Sequence, residues 1–273
     1  MNWFAERAGL EGTVAVFTGG AGGLGRAISK DFAANGVRVA VLDLDQAAVD
    51  ALGGELGDAL VRQGDARDPG VLQAFFDETG ERWGRLDTLV NIVGGTFRAA
   101  FTDTNPKGWD TLLRTNLLHV LHACSLAVPR MRGGGSIINI TTIEAHRAAP
   151  GFAVYSAAKA AVEQFARSLA VEVARDGIRV NNIAPDYVPT PAMTRFGRPA
   201  AEPAAVRATI PMGRAGVPAD VSGCAVFLAS ALSGFLTGTT LHPDGGTFAS
   251  SGWTNWPGSG WSTQPPAGLL NGR

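Results

Sequence analysis

A glycine-rich segment near the start of the chain limits the possible folds more than any other feature. It occupies residues 19–25 and follows 13–17, an apolar stretch with β-branched residues that favours a strand. Apolar residues then recur every four positions, at Leu24, Ile28 and Phe32, which indicates a helix packed on one face. Strand, glycine turn and helix in this order form a phosphate cradle, because glycines admit a pyrophosphate and the helix start offers free N–H groups. We therefore predict a dinucleotide-binding unit.

The acid after the second strand indicates which dinucleotide binds. The strand 37–42 ends at Asp43. A carboxylate at this point can accept hydrogen bonds from both hydroxyls of the adenosine ribose, and it repels a 2′-phosphate. The predicted cofactor is therefore NAD rather than NADP. The residues of this unit predicted to bind it are Gly19, Gly22, Gly23, Leu24 and Asp43.

Strands and helices alternate along the rest of the chain. Further strands are predicted at 59–63, 86–91, 136–140, 178–183 and 239–242. Helices are predicted at about 68–83, 106–131, from 154 to Gly177, and 218–232. This order predicts an α/β fold: one doubly wound parallel sheet of about seven strands, with helices on both faces and the ligand at the carboxyl ends of the strands. One domain is expected over residues 1–249.

A tyrosine and a lysine lie one turn apart on one of these helices. Tyr155 and Lys159 share a helix face because they are four residues apart. An ammonium beside a phenol favours the phenolate and lowers the pKa of the tyrosine, which makes it usable as a general acid or base near neutral pH. The alternative is a solvated lysine beside a half-buried tyrosine. The dinucleotide-binding unit in the same chain favours the catalytic interpretation of this pair.

Other polar residues in apolar stretches leave two interpretations open. Asn91 ends an apolar strand and is either a turn residue or a backbone clamp. Asn116 lies between leucines in the helix 106–131; because a buried asparagine must be hydrogen-bonded, it either supports the core or takes part in a site. His119 and His122 on the same helix are interpreted as structural or interfacial, since no metal-ligand partner stands nearby in the sequence. No metal site is predicted.

Two segments depart from the regular alternation. Residues 184–211 contain six prolines and little periodicity, and a loop of this length in a compact domain is usually functional, here as a substrate lid. The tail 250–273 is rich in glycine, serine and proline but holds Trp253, Trp256 and Trp261. Such large apolar side chains are seldom left in water. We expect the tail to pack on a neighbouring subunit or over the mouth of the active site.

Composition restricts the partners and the compartment. The formal net charge is −1, which gives no support for nucleic acid or an anionic membrane surface as a partner. Cys124 and Cys224 lie in apolar stretches, as expected for reduced thiols rather than a disulfide framework. The sequence shows no signal-peptide pattern at its start and no apolar stretch long enough to cross a bilayer. We expect a cytoplasmic protein without membrane contact.

Taken together, these motifs resemble the short-chain dehydrogenase/reductase family over residues 10–246. Thr18-Gly19-x-x-x-Gly23-x-Gly25 is similar to its cofactor loop, and Asn91 opens the segment that usually reads Asn-Asn-Ala-Gly. Tyr155-x-x-x-Lys159 is similar to its catalytic pair, and 185–190 to its nicotinamide loop. The resemblance implies hydride transfer between the nicotinamide of NAD and a secondary alcohol or ketone, in a homo-oligomer that is commonly a tetramer.

The resemblance also implies a role for individual residues. Tyr155 would be the general acid/base, Lys159 would lower its pKa and bind the nicotinamide ribose, and Asn116 would hold a water of the proton relay. Thr142 would hydrogen-bond the substrate oxygen. The further contacts to the cofactor would come from Asp65, Ala66, Asn91, Val188 and Thr190.

The chain departs from the family pattern in three places. Thr142 stands where serine is usual, which keeps the hydroxyl but restricts its rotamer. Ile92-Val93 replace Asn-Ala, a change expected to affect packing only. Asp186 replaces the glycine that follows Pro185. The residues that could line a polar substrate pocket are Glu144, His146, Asp186 and Tyr187; the alternative is that two or more of them face water. If they line the pocket, the substrate is a polar hydroxylated or amine-bearing small molecule.

Two other functions compete with the dehydrogenase. One is a catalytically silent NAD-binding regulator or scaffold, which the intact Tyr155, Lys159 and Asn116 disfavour. The other is a lyase or epimerase that uses bound nicotinamide transiently, for which the chain is short. Nicotinamide absorbance measured with a panel of alcohols distinguishes the three.

Overall fold

The computed structural model describes residues 3–190 and 201–266. Its centre is a seven-stranded sheet with the order β3-β2-β1-β4-β5-β6-β7, in which every neighbouring pair is parallel. The strands are β1 Val14–Thr18, β2 Arg38–Asp43, β3 Leu60–Gln63, β4 Thr88–Asn91, β5 Gly135–Ile140, β6 Ile178–Ile183 and β7 Thr240–Leu241. The strand order reverses between β1 and β4, and the crevice outside this point is where doubly wound sheets bind their ligands. The predicted fold class is confirmed.

Helices cover both faces of the sheet. They are α1 Trp3–Ala8, α2 Gly23–Ala34, α3 Gln46–Leu56, α4 Pro69–Trp83, α5 Pro106–Leu113, α6 His119–Ala127, α7 Ala153–Val173, α8 Pro203–Thr209, α9 Pro218–Ala229 and α10 Thr247–Ser250. One core joins the sheet to α4, α6 and α7, and a second joins the opposite face to α2, α3 and α9. The central strands β1, β4 and β5 are buried on both sides, which explains why they are mostly apolar.

Two differences from the predicted elements have local causes. The helix predicted over 106–131 is interrupted by a π-helical turn, Arg114–Leu118, and its last α-helical residue is Ala127. The backbone hydrogen bonds of a π turn span five residues instead of four, and a single such turn is too short to stand out in the apolar pattern of the sequence. The helix α3 was not predicted, although Asp45 caps it by accepting a hydrogen bond from the backbone of Ala48.

The proline-rich loop and the tail both contain regular structure. Within 184–211, the described part includes α8, and residues 191–200 lie outside the described residues. The tail forms a hairpin of β8 Thr254–Trp256 and β9 Gly260–Ser262, and β8 packs on α8. Trp253 and Trp261 remain half exposed at 50% and 47%, whereas Trp256 is partly buried. The tail therefore packs on the helix of the segment that follows β6. Its contact with another subunit stays a prediction.

Candidate active site

The glycine segment folds as a tight turn between β1 and α2. A Cβ placed on Gly25 would lie 2.1 Å from the carbonyl oxygen of Gly19, so the helix start can approach the turn only without a side chain. Gly19 and Gly23 adopt positive φ angles of 79° and 49°. Gly22, the N-cap of α2, faces open space. This is the shape that a pyrophosphate requires, with room beside the helix N-terminus.

Asp43 links this turn to the end of β2. Its carboxylate accepts hydrogen bonds from the backbone N–H groups of Ala21, at 2.9 Å, and Asp45, at 3.1 Å. The side chain is thereby held beside the glycine turn, and a carboxylate keeps further lone pairs for other donors. The next residues along the chain are Leu44 and Asp45, so no positive charge follows it directly.

Four further residues predicted to contact the cofactor follow β3 and β6. Asp65, after β3, forms a salt bridge with Arg67 at 2.6 Å, and this guanidinium lowers the pKa of the carboxyl. The adjacent Ala66 is buried. Thr190, after β6, lies opposite the glycine turn, because a Cβ on Gly23 would be 3.5 Å from its Cβ. Val188 is buried. The loop after β6 therefore reaches across to the turn after β1.

Lys159 is buried on the inner face of α7. It is 4% exposed, and its ammonium group donates a hydrogen bond to the carbonyl oxygen of Ile140 at 2.9 Å. Burial lowers its pKa to about 8, because removal of water disfavours the charged amine. Tyr155 is one turn earlier on the same helix and is partly exposed. A narrow apolar crevice beside it includes Phe97, Phe101 and Phe152 in its lining.

Asn116 lies in the π turn and is fully buried. Its side-chain amide donates to the carbonyl oxygens of Gly95, at 2.8 Å, and Leu112, at 2.9 Å, and its Oδ1 accepts from the N–H of Gly95 at 3.2 Å. The side chain is therefore a clamp on the loop after β4. A Cβ on Gly94 would lie 3.2 Å from both Asn116 Oδ1 and Lys159 Nζ, so these two groups approach the same point.

Thr142 and Asn91 also lie at strand ends. Thr142 follows β5, is 8% exposed, and its hydroxyl oxygen accepts a hydrogen bond from the N–H of Glu144 at 3.3 Å. Asn91 is buried at the end of β4 and donates to Asn139 on β5 at 2.9 Å. Its side chain therefore joins neighbouring strands through another side chain rather than through the backbone.

The four predicted substrate-pocket residues divide into two pairs. Glu144 and Asp186 both face Arg147, at 2.9 Å and 3.5 Å. Burial raises the pKa of Asp186, although Arg147 opposes this shift. The other two residues turn to different partners: His146 contacts Glu163 at 3.0 Å, and the Tyr187 hydroxyl accepts from the N–H of Ala201 at 2.8 Å.

Sequence reasoning missed two charged residues that organise this region. Arg147 carries no motif, and only the folded loop after β5 places it between two carboxylates. Glu163 lies one turn beyond Lys159 and is 2% exposed. Its position four residues after Lys159 was a usable signal, because it puts a carboxylate on the same face of α7.

Other polar groups in the described part of the chain give no further chemistry. No cluster of three or more potential metal ligands occurs there. Burial and the nearby Lys159 lower the pKa of His119 to about 3, whereas His122 is exposed. Both cysteines are free thiols. Within the described ranges, no helix is long and apolar enough to cross a bilayer.

Comparison with known proteins gives consistent matches over most of the chain. The family model described as enoyl-(acyl carrier protein) reductase matches residues 19–247. The L-fucose dehydrogenase of Oryctolagus cuniculus is 36% identical over 258 residues, which cover 92% of this chain and 90% of that protein. The D-threitol dehydrogenase of Mycolicibacterium smegmatis is 35% identical, covering 87% and 93%. A mutant of a Serratia marcescens short-chain dehydrogenase/reductase superposes with a TM-score of 0.82 at 30% identity, covering 88% and 99%.

Proposed function

Because the chain belongs to the short-chain dehydrogenase/reductase family, we propose that it transfers a hydride between a nicotinamide dinucleotide and a secondary alcohol or ketone. The observation that carries the proposal is the position of the buried Lys159 one turn from Tyr155 on α7, with Thr142 at the end of β5. The bound nicotinamide supplies the hydride chemistry, and the protein supplies orientation and a proton path.

Tyr155 is the general acid/base on the substrate oxygen. The ammonium of Lys159, held against the carbonyl of Ile140, favours the phenolate electrostatically because charges interact strongly where water is excluded. In oxidation Tyr155 takes the proton of the alcohol, and in reduction it returns a proton to the oxygen of the ketone.

Thr142 and Asn116 assist this step. The Thr142 hydroxyl donates to the substrate oxygen while its own oxygen accepts from Glu144 N–H, which holds the donor in place. The Asn116 side chain is committed to Gly95 and Leu112. Its contribution to the proton path is therefore through its backbone carbonyl, in a π turn where carbonyls depart from the ordinary helical pattern.

The cofactor is NAD. The open side of Gly22 and the free start of α2 fit a pyrophosphate, and Asp43 beside that turn receives the adenosine ribose hydroxyls. The same carboxylate, followed by Asp45, opposes a 2′-phosphate. Asp43→Ala tests this assignment: we expect the ratio of kcat/KM for NAD to that for NADP to fall at least about tenfold.

The substrate is a small polyhydroxylated molecule such as a sugar or polyol. Arg147 presents donors and the flanking Glu144 and Asp186 present acceptors, and a vicinal diol uses both because each hydroxyl donates and accepts. The names of the L-fucose and D-threitol dehydrogenases support this class. Two carboxylates and one guanidinium give this group of side chains a net negative charge, which disfavours an anionic substrate.

A nicotinamide-absorbance assay with polyols, sugars and simple apolar alcohols tests the proposal. We expect NAD-dependent turnover that Tyr155→Phe abolishes while calorimetry shows retained NAD binding. NAD binding without turnover of any alcohol would instead favour a silent binding protein. Equal turnover of an apolar alcohol and its polyol analogue would contradict the substrate class.

We also propose that the active form is a homotetramer in the cytoplasm. The basis for the tetramer is the common assembly of this family, and the basis for the compartment is the pair of free thiols, Cys124 and Cys224. Sedimentation equilibrium of the full chain measures the assembly state, and a monomer that retains full activity would contradict the proposal.

A further inference from the structure

A row of polar side chains crosses the sheet near the carboxyl ends of the strands. Its members are neighbours in register on β1, β4, β5, β6 and β7: Thr18, Asn91, Asn139, Asn182 and Thr240. The first four are at most 2% exposed. Such groups are costly inside a sheet covered on both faces unless each is hydrogen-bonded. Each member of the row therefore needs a partner, and the last member needs an acceptor beyond the row.

Every bond in the row points in the same direction. The Thr18 hydroxyl donates to Asn91 at 3.4 Å, and the Asn91 amide donates to Asn139 at 2.9 Å. The Asn139 amide donates to Asn182 at 3.1 Å, and the Asn182 amide donates to the Thr240 hydroxyl at 3.2 Å. Aligned bonds polarise one another, so the strongest arrangement places an anion at the accepting end.

Glu163 is that terminal acceptor. Its Oε2 accepts from the Thr240 hydroxyl at 3.3 Å, and its Oε1 accepts from the Thr141 hydroxyl at 2.8 Å. His146 approaches the same carboxylate at 3.0 Å. One buried side chain of α7 thus joins β7, the end of β5 and the loop after β5.

The contact with Thr141 brings Glu163 into the geometry of the reaction. Lys159 holds the carbonyl of Ile140, and Glu163 holds the hydroxyl of Thr141. Thr142 is the next residue, so two consecutive attachments to α7 fix the segment that carries its hydroxyl. The same helix carries Tyr155.

We infer that Glu163 is a positioning residue: it terminates the polar row across the sheet and holds the Thr142 segment in register with Tyr155 through Thr141. Its effect on turnover rests on the proposed function. Its effect on the order of residues 141–146 and of β7 does not, because that follows from the hydrogen bonds alone.

Glu163→Gln tests this inference with little change in shape. The amide replaces one accepting oxygen with a donor, so at least one of Thr141, Thr240 and His146 loses its acceptor. We expect backbone hydrogen exchange to increase at least about fivefold in 141–146, in 240–242 or in both, while the other strands are unchanged. We expect kcat to fall about 10- to 100-fold with the Kd for NAD within about twofold of wild type, because the hydroxyl is displaced rather than removed.

Glu172→Gln is the matched control. Glu172 lies on the same helix but is exposed, so the same chemical change should alter neither exchange nor kcat. The double variant Glu163→Gln/Thr141→Val tests whether Glu163 acts through Thr141. Its kcat should be no lower than that of the less active single variant, because both changes remove the same attachment. Multiplication of the two losses would overturn the route through Thr141.

Exchange that matches wild type at both 141–146 and 240–242 overturns the inference whether or not any alcohol is turned over. A uniform increase along the chain also overturns it, since Glu163 would then serve only global stability. If Glu163→Gln does not fold, Thr141→Val alone should give the localised increase, and its absence overturns the inference. Wild-type protein that turns over no alcohol counts against the proposed function, and the exchange measurement still decides the role of Glu163.

Discussion

Replacement of Lys159 by methionine should remove activity and stabilise the cofactor-free protein. The amine is 4% exposed, and burial lowers its pKa from 10.5 to about 8. At neutral pH the folded state therefore holds a charge that water solvates better in the unfolded chain. The difference between 10.5 and about 8, at about 1.36 kcal/mol for each pH unit, corresponds to about 3 kcal/mol.

Part of this gain is offset by a lost hydrogen bond. Lys159→Met leaves the carbonyl of Ile140 without the ammonium donor, at a cost of about 1–2 kcal/mol. We therefore expect the free energy of unfolding to increase by about 1–2 kcal/mol at pH 7. The charged Lys159 lowers the free energy of unfolding of the wild type by its full amount below pH 8. This destabilisation decreases as pH rises towards 10.5, because the amine loses its charge in the folded state before it does so in the unfolded chain.

Urea unfolding followed by tryptophan fluorescence, at fixed protein concentration and at several pH values, measures this difference. The advantage of Lys159→Met should disappear or reverse by about pH 10.5, at the unfolded-state pKa. Lys107→Met is the control, since Lys107 is exposed and its removal should change stability by less than about 0.5 kcal/mol. A variant less stable at pH 7, or a difference independent of pH, would refute the reasoning.

Three other substitutions test separate parts of the structure. Gly25→Ala should destabilise the fold by about 3 kcal/mol or more and abolish NAD binding, because its Cβ would meet the Gly19 carbonyl at 2.1 Å. Gly22 faces open space, so the control Gly22→Ala should change thermal stability little. His119→Leu should flatten the acid side of the stability profile, because the pKa of about 3 means that wild type loses stability as pH falls below 6.5, by about 3 kcal/mol at about pH 4.5; urea midpoints at that pH and at pH 7 measure this. Thr142→Val should lower kcat about 100-fold with unchanged Kd for NAD, whereas Thr142→Ser should stay within about threefold of wild type; equal losses in steady-state assays would contradict a role for the hydroxyl.

Local patterns were sufficient for the parallel sheet but not for every helix, since α3 was not predicted. The apolar stretches predicted the strands of the parallel sheet within about two residues, because strands buried on both faces admit little else. The spacing of Tyr155 and Lys159 put them on one helix face, and the glycine segment 19–25 predicted the turn between β1 and α2. Each of these inferences depends on residues close together in the chain.

The environment of those residues was decided by tertiary structure. Burial of Lys159, and hence its lowered pKa, depends on what packs around α7. Arg147 meets Asp186, and Glu163 meets Thr240, which is 77 residues away in the chain. Both pairs form only because parallel strands place their carboxyl ends at one edge of the sheet. Helix and strand periodicity determines which face a side chain occupies, but register between distant segments determines which polar group it meets.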